Sequence, residues 1–545
     1  MRSMLIALTC TAGLAATAAA VGAQTTGPSS SQSPYVTPKA PGWSVVSLIT
    51  AGDPPTTNPS YRMVGIPDGL GALRGKFEEG KYVADDAYMS VFMNHEIPAG
   101  SGIIRAHGAN GAFVSRWTIH LNSLQVRNGE DLIQKVFAWD AATASYIYAS
   151  PNTVFSRFCS ADMPAVTAFY DPWSGKGFRG GIFMNGEESG TEGRAWAHIV
   201  SGVEAGNTYQ LPYLGRFSWE NSVAHPDAGN KTIVMGNEDG TPGSVYMYIG
   251  DKRYDGNPVE RAGLVGGALF GIKVTNGGVN YGGAAVTREN NGAIVSGTFV
   301  PAAVSAHANL AVGAGAALQA DTLAAGVTEF ARPEDGAWDP ARPNVFYFVT
   351  TGANISGAVG PRAGWQWARL YKLTFADIST PAMGGTIELI TDALSVPRIG
   401  GEVPPQVAMF DNIAVDGRGH VLIQEDPGGN NYLAKTWDVD PFTKTSVEIF
   451  ESDSARFAPG GSVTIDEESS GIIEVTNIVK NARWFEHGRR YYLADMQAHN
   501  DLGAELYEGG QLYLLASPRV HQQEKDDDHD DHDDGHHGER EHGED

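Results

Sequence analysis

Four stretches of this chain run a few apolar residues straight into a short polar and acidic cluster. They are Val91-Phe92-Met93-Asn94-His95-Glu96, Ile182-Phe183-Met184-Asn185-Gly186-Glu187-Glu188, Ile233-Val234-Met235-Gly236-Asn237-Glu238-Asp239 and Val421-Leu422-Ile423-Gln424-Glu425-Asp426. Short apolar runs bounded by Gly, Asn and charge read as buried strands, so each acid falls where its strand ends. Three other segments share a second frame: an acid, then Asp or Asn, a small residue, apolar residues, and Asp or His before Pro or Gly. They are Glu220 to Pro226, Glu334 to Pro340 and Asp411 to Gly417. Each leads through a turn into another apolar run, the punctuation of a β-hairpin. In an antiparallel hairpin the start of the first strand lies beside the end of the second. Glu220 is therefore expected beside Glu238 and Asp239, and Asp411 beside Glu425 and Asp426. Hairpins repeated with their acids at one common end predict an all-β chain, a β-propeller of about six blades with loop and short helical insertions.

Converging strand ends would make a nest of carboxylates. Unpaired carboxylates packed side by side raise one another's pKa unless cations neutralise them, so the pattern predicts bound metal.

Composition agrees with a turn-rich β body, since Gly is abundant at 67 residues and charged residues are only 19%. The Ala-rich segment from Ala302 to Gly326 reads as an insertion that includes a helix. Arg2 followed by an apolar stretch from Met4 to about Ala20, with Val21-Gly22-Ala23 before Gln24, reads as a cleavable secretory signal over residues 1–23. Residues 24–34 read as a flexible leader, 35–519 as the propeller, and 520–545 as a disordered tail in which His and Asp interleave. Such a tail would solvate the protein or hold divalent cations loosely. No other run is long and apolar enough to span a bilayer.

A formal net charge of −25 argues against nucleic acid, whose phosphates need clustered Lys and Arg. The expected partner is a small molecule, with no membrane and a monomeric chain. Because Cys10 lies in the signal, the exported chain keeps only Cys159. That thiol is either buried and inert or a thiolate ligand. Trp196, Trp219 and Trp338 read as core side chains, and His95, His225 and His499 as structural histidines. The acids of Asp466-Glu467-Glu468, ahead of another strand, would face either calcium or solvent.

Taken in order, these pieces resemble the PhoX-type alkaline phosphatases, secreted or periplasmic β-propeller enzymes with an iron and calcium centre. The matching segments are Asn94-His95-Glu96, Cys159 leading to Glu187-Glu188, Gly215-Arg216-Phe217-Ser218-Trp219-Glu220, Gly236-Asn237-Glu238-Asp239, Arg332-Pro333-Glu334, and Asp411-Asn412-Ile413-Ala414 leading to Gln424-Glu425-Asp426. The resemblance implies an iron ligand at Cys159 and metal ligands at Glu187, Glu188, Glu220, Glu334 and Asp411. It implies calcium contacts at Glu96, Asn412 and Asp239, with Glu425 in the same set, and a phosphate clamp at Arg332 acting with Glu334. The implied cofactors are Ca2+ and Fe3+, and the implied reaction is metal-assisted hydrolysis of phosphate monoesters. Hard carboxylates do suit calcium and ferric iron, a thiolate suits only the transition metal, and the planar guanidinium fork matches phosphate oxygens.

Three features set this chain apart from that pattern. Its signal lacks paired arginines, so export is expected by a Sec-type route. Asn185-Gly186 replaces the family's usual approach to the acidic pair. Asp335-Gly336 follows Glu334 where a bulky continuation is usual, which would widen the pocket or alter how phosphate is held. The competing readings are a calcium-stabilised propeller that binds a ligand without catalysis, and a phosphodiesterase, phytase-like or lactonase-like enzyme on the same framework.

Overall fold

A computed structural model describes residues 22–520 apart from 79, 277–278, 281–286, 290–295, 305–310, 312, 353–367, 394–408 and 429–431. The signal segment and the acidic tail fall almost wholly outside the described residues. Antiparallel four-stranded units recur six times, each opening on an inner strand: Pro67–Arg74, Phe158–Asp162, Trp219–Ala224, Pro333–Trp338, Phe410–Val415 and Glu467–Glu474. Each inner strand contacts the next, and the sixth contacts the first, so the six blades close a ring around one axis. This is the expected propeller, and the blades are numbered here in chain order.

The first two strands of each blade are the hairpins read from the sequence. Trp219 pairs with Glu238 and Phe410 with Glu425, which sets Glu220 and Asp411 at the acidic strand ends. The outer edges of blades three and four are fused by Ser296–Val304, which pairs with both Ala268–Asn276 and Gly385–Asp392. The ring is closed from the amino-terminal side. Ser44–Thr50 becomes the outer strand of blade six against Tyr507–Ala516, and Val36–Pro38 adds to Thr445–Ser452 of blade five.

The leader differs from expectation. Gln24–Thr26 forms a strand parallel to Val45–Ser47, and the Ser31 amide donates to Asp53 Oδ2 at 2.8 Å. Its side chains bury nothing. The open backbone edge of Ser44–Thr50 suffices to order it, because unpaired strand edges recruit any chain able to supply N–H and C=O groups.

Blades adhere through apolar side chains that alternate along the strands. Six clusters fill the six seams, with Phe92, Phe155, Phe183 and Trp196 between blades one and two, and Val349, Phe410, Ile423 and Trp437 between four and five. Trp196, Trp219 and Trp338 are all buried, as expected. Each large apolar side chain so buried contributes roughly 1.5–3 kcal/mol, which lets the ring hold by burial with Cys159 as a free thiol. The insertion after blade three carries the helix Ala314–Ala325, whose first amides, Gly313 and Gly315, donate to the Glu192 carboxylate at 2.8 and 2.9 Å.

Candidate functional site

The six-fold repeat builds the site tier by tier. The second residue of each inner strand is Asp68, Cys159, Glu220, Glu334, Asp411 or Glu468, and all six are buried. Every inner strand slips register against its partner at or beside this residue. A slip of this kind re-aims side chains that a regular ladder would point across the sheet. Potential ligand atoms of Asp68, Glu96 and Cys159 lie within 4.8 Å of one another, as do those of Glu220, Glu334 and Asp411 and those of Asp411, Asp426 and Glu468.

A second tier lies above. The amides of Glu96, Glu188, Asp239, Thr351, Asp426 and His499 donate, blade by blade, to the carbonyls of Ile66, Arg157, Ser218, Arg332, Met409 and Asp466. Those six acceptors each stand immediately before an inner strand and form the rim. The repeat explains which acid of each pair faces the opening. Successive residues of a strand point to opposite sides, so Glu188, Asp239 and Asp426 face the rim while their predecessors turn into the blades. Glu187 is bound by Arg194 and by the Ser156 amide. Glu238 accepts from Ser244 and from Gln319 of the inserted helix. Glu425 accepts from Trp437 Nε1 at 2.8 Å and from the Lys435 amide at 3.2 Å. Of the residues expected as ligands, Glu187 and Glu425 are therefore aimed away from the opening, and Cys159, Glu188, Glu220, Glu334, Asp411, Glu96 and Asp239 are brought to it.

Beneath the first tier runs a polar floor. Asn221 Nδ2 donates to Asp335 Oδ1 at 2.6 Å and to Ser160 Oγ at 3.1 Å, and the Ile413 amide donates to Asp335 Oδ2 at 3.0 Å. Asn412 Nδ2 donates to Asp68 at 3.3 Å. Below the floor the axis continues as a cavity of about 230 Å³ walled mostly by small and apolar residues. The Asp335-Gly336 departure does not widen the opening. Asp335 is consumed in this floor, and a Cβ on Gly336 would collide with Phe346 and lie 2.9 Å from the Tyr347 carbonyl oxygen.

The electrostatics are those of acids without enough counter-charge. Burial, then neighbouring acids, pushes the carboxyls of Asp68, Glu188, Glu220, Glu334 and Asp411 well above the usual carboxylate range. The Cys159 thiol is raised by burial and by Asp68 and Glu220. Asp426 is pushed up to about 7 by burial and Glu468. Asp239 is the exception: burial opposes its charge, but the guanidinium of Arg332 holds its pKa below the usual range. Arg332 Nε and Nη2 reach Asp239 at 2.7 and 3.0 Å, and Nη2 reaches Glu334 at 2.9 Å.

The residues fit a set of cations. Glu220 Oε1 and Asn412 Oδ1 are buried with no hydrogen-bond partner among the described residues. The acids converge in numbers that only added positive charge would let ionise, and one thiol stands among them.

Sequence reading missed Asp68, Gln497 and Arg157, left Glu468 undecided, and took His499 as structural. Asp68 precedes Gly69 and resembles a turn residue. Gln497 Nε2 donates to Glu96 at 2.8 Å and to Asp68 at 3.1 Å. His95 and His225 are structural, bonded to Gly65, Ser115 and Pro343. His499 instead lines a cavity of about 270 Å³ beside the opening and hydrogen-bonds Glu508 at 2.6 Å. For Asp68, Arg157 and Glu468 one signal exists, a site residue two places after the rim residue: Ile66-Pro67-Asp68, Arg157-Phe158-Cys159 and Asp466-Glu467-Glu468 repeat the spacing of Arg332-Pro333-Glu334.

The model of the alkaline phosphatase PhoX family matches residues 205–471, a span that holds the inner strands of blades three to five and ends within that of blade six. That span is a PhoX-family domain. Among solved structures, Pseudomonas fluorescens PhoX in complex with vanadate, a transition state analogue, aligns at a TM-score of 0.58 and 12% identity, covering 88% of this chain and 95% of that one. At that identity the likeness is one of fold, and it extends the PhoX architecture over blades one and two. A glucose dehydrogenase aligns at a TM-score of 0.30 and 11% identity over 87% of this chain and 98% of its own. A cobalt-substituted Synechocystis ACO aligns at 0.32 and 8% identity over 85% and 95%. No curated protein matches the chain in sequence.

Proposed function

We propose that this protein is an exported, metal-dependent phosphatase that hydrolyses phosphate monoesters above its ring of inner-strand ligands. The observation that carries the reading is the repeat itself. Six blades present Asp68, Cys159, Glu220, Glu334, Asp411 and Glu468 at one position, under a rim that bears Arg332. A phosphatase-family domain over residues 205–471, and a similar fold that binds a transition state analogue in another protein, support it.

The first tier, with Glu96, Asp239 and Asp426, would hold the ions. Cys159 suits ferric iron, and the carboxylates around it suit iron and calcium. Bound there, such cations supply charge neutralisation and polarise phosphoryl oxygens. The chain's own part is orientation. Arg332 has its guanidinium plane set by Asp239 on one edge and Glu334 on another, so its fork is fixed before substrate arrives. That pre-set fork would bind the phosphoryl oxygens as negative charge redistributes during transfer. Thr351 Oγ1 donates to Glu334 at 2.8 Å and holds that carboxylate in turn.

The test is turnover of an aryl phosphate by the purified mature protein, loaded with calcium and iron, with vanadate as inhibitor and with elemental content measured alongside. Turnover that a chelator abolishes and vanadate blocks is expected. A fully loaded protein that hydrolyses no phosphate monoester would leave the non-catalytic or other-ester reading in its place.

A further inference from the structure

Three rim residues that are not glycine stand in the left-handed region: Ile66 at φ 39°, Arg157 at φ 45° and Arg332 at φ 60°. They occupy one structural position. Each donates its amide across a seam to the preceding blade, to Gly509, Ile97 and Gly240 respectively, and each accepts at its carbonyl from its own blade's second tier. Side-chain-bearing residues adopt this conformation at a cost, and here two of the three carry a guanidinium. Arg157 and Arg332 lie on blades two and four, on either side of blade three.

Their surroundings match as well. Arg157 bridges Glu96 of blade one, at 2.7 Å, and Glu188 of its own blade. Arg332 bridges Asp239 of blade three and Glu334 of its own. Glu188 and Asp239 lie within electrostatic reach of each other, so an arc of charged groups runs Glu96, Arg157, Glu188, Asp239, Arg332, Glu334. The guanidiniums are on its solvent side: Arg157 and Arg332 side chains are 46% and 29% exposed, against 9% and 13% for Glu96 and Glu188. The shortest contact of Arg157 to each carboxylate uses Nη2, and among the described residues Nε and Nη1 donate no hydrogen bond. The same side chain lines the cavity of about 270 Å³ beside the opening.

We infer that Arg157 is a second oxyanion-binding residue of this site, the counterpart of Arg332 across blade three, so that the phosphoryl group is held between two guanidiniums. The inference rests on the phosphatase reading. Cations bound by Glu96 and Glu188 would compete with Arg157 for those carboxylates and free further donors for the substrate. An arginine is suited to this role because its fork offers parallel N–H donors to two oxygens at once, which a lysine does not.

The experiment measures inhibition constants for inorganic phosphate and vanadate, with metal content, in the cation-loaded wild type, Arg157→Ala and Arg157→Lys, with Arg332→Ala in parallel. Arg157→Ala with wild-type metal content is expected to bind both anions at least about ten-fold more weakly, with Arg157→Lys between it and the wild type. Unchanged anion affinity in a metal-replete Arg157→Ala protein would overturn the inference and make Arg157 a counter-charge for Glu96 and Glu188. If Arg157→Ala loses metal or fails to fold, the decision passes to Arg157→Lys, which keeps the charge; wild-type anion affinity there would overturn it equally. A loaded wild type that neither binds phosphate nor turns over an ester would instead sink the phosphatase reading itself.

Discussion

Arg332 and Cys159 carry the predictions that belong to single residues. Arg332 is held on two edges by carboxylates, so replacing it with Ala removes a pre-oriented donor and leaves Asp239 and Glu334 without their cation. Loss of one such donor at a reacting oxyanion costs on the order of 10²–10³ in rate. Arg332→Ala is expected to lower kcat/KM for an aryl phosphate by about that factor while the protein stays folded; steady-state kinetics beside a thermal melt check this. Cys159 is the lone soft donor among hard ones, with Sγ 3.5 Å from Asp68 Oδ2. Cys159→Ser should lose iron and keep calcium, because a neutral hydroxyl is a poor substitute for thiolate at a transition metal while the carboxylates remain. Elemental analysis decides it, and full iron retention would make the thiol a core group.

At the scale of elements, insertions hold the rim in shape. The chain leaves blade three at Asn276 and returns at Ser296, and within that excursion Glu289 is buried against the approach to Arg332. Its carboxylate accepts from the Ala331 amide at 3.0 Å and from Tyr371 at 2.5 Å, and pairs with the buried Arg369. Its own amide donates to the Glu329 carbonyl at 2.8 Å. The residue just before Arg332 is thus fixed by a side chain from another element, which favours the left-handed backbone that turns the guanidinium to the opening. Glu289→Gln keeps the shape and an acceptor but leaves the Arg369 charge without this carboxylate, a change worth up to several kcal/mol. The expected outcome is a lower Tm together with a raised KM for the phosphate ester. An altered Tm with untouched kinetics would confine Glu289 to stability.

For the whole molecule, the ring of acids couples stability to cations and pH. A carboxyl whose pKa is higher when folded binds more protons in the folded state, so its contribution is present in acid and is lost as pH rises through the folded value. Asp68, Glu188, Glu220, Glu334 and Asp411 behave this way, as do Asp162, Glu238 and Asp426, each near 7. His198 acts in the opposite sense. Burial pushes it down to about 3, so below its ordinary value the unfolded chain takes up a proton that the folded chain refuses, and stability falls with falling pH. Acids of the first kind outnumber such histidines. Protein stripped of metal by a chelator should therefore lose Tm as pH rises from about 5 to about 8, whereas calcium- and iron-loaded protein should not. Scanning calorimetry across that range checks it, and parallel curves with and without cations would contradict a metal centre.

The sequence by itself determined that strands pair locally and that their acids gather at one end, because hairpin register follows from turn spacing and alternation. Glu220 beside Glu238 and Asp411 beside Glu425 are consequences of that local rule. Alternation was equally legible in principle: of two adjacent acids only one can face the opening, which removes Glu187 and Glu425 from it. Tertiary structure alone decided which of each pair it is, since that depends on how the inner strands slip register against their partners, as at Cys159 and Asp411. It also decided that Gln24–Thr26 is ordered by the open edge of Ser44–Thr50, and that Arg157 and Arg332 are equivalent. Their equivalence arises from hydrogen bonds across blade seams to Ile97 and Gly240, contacts that exist only once neighbouring blades have docked.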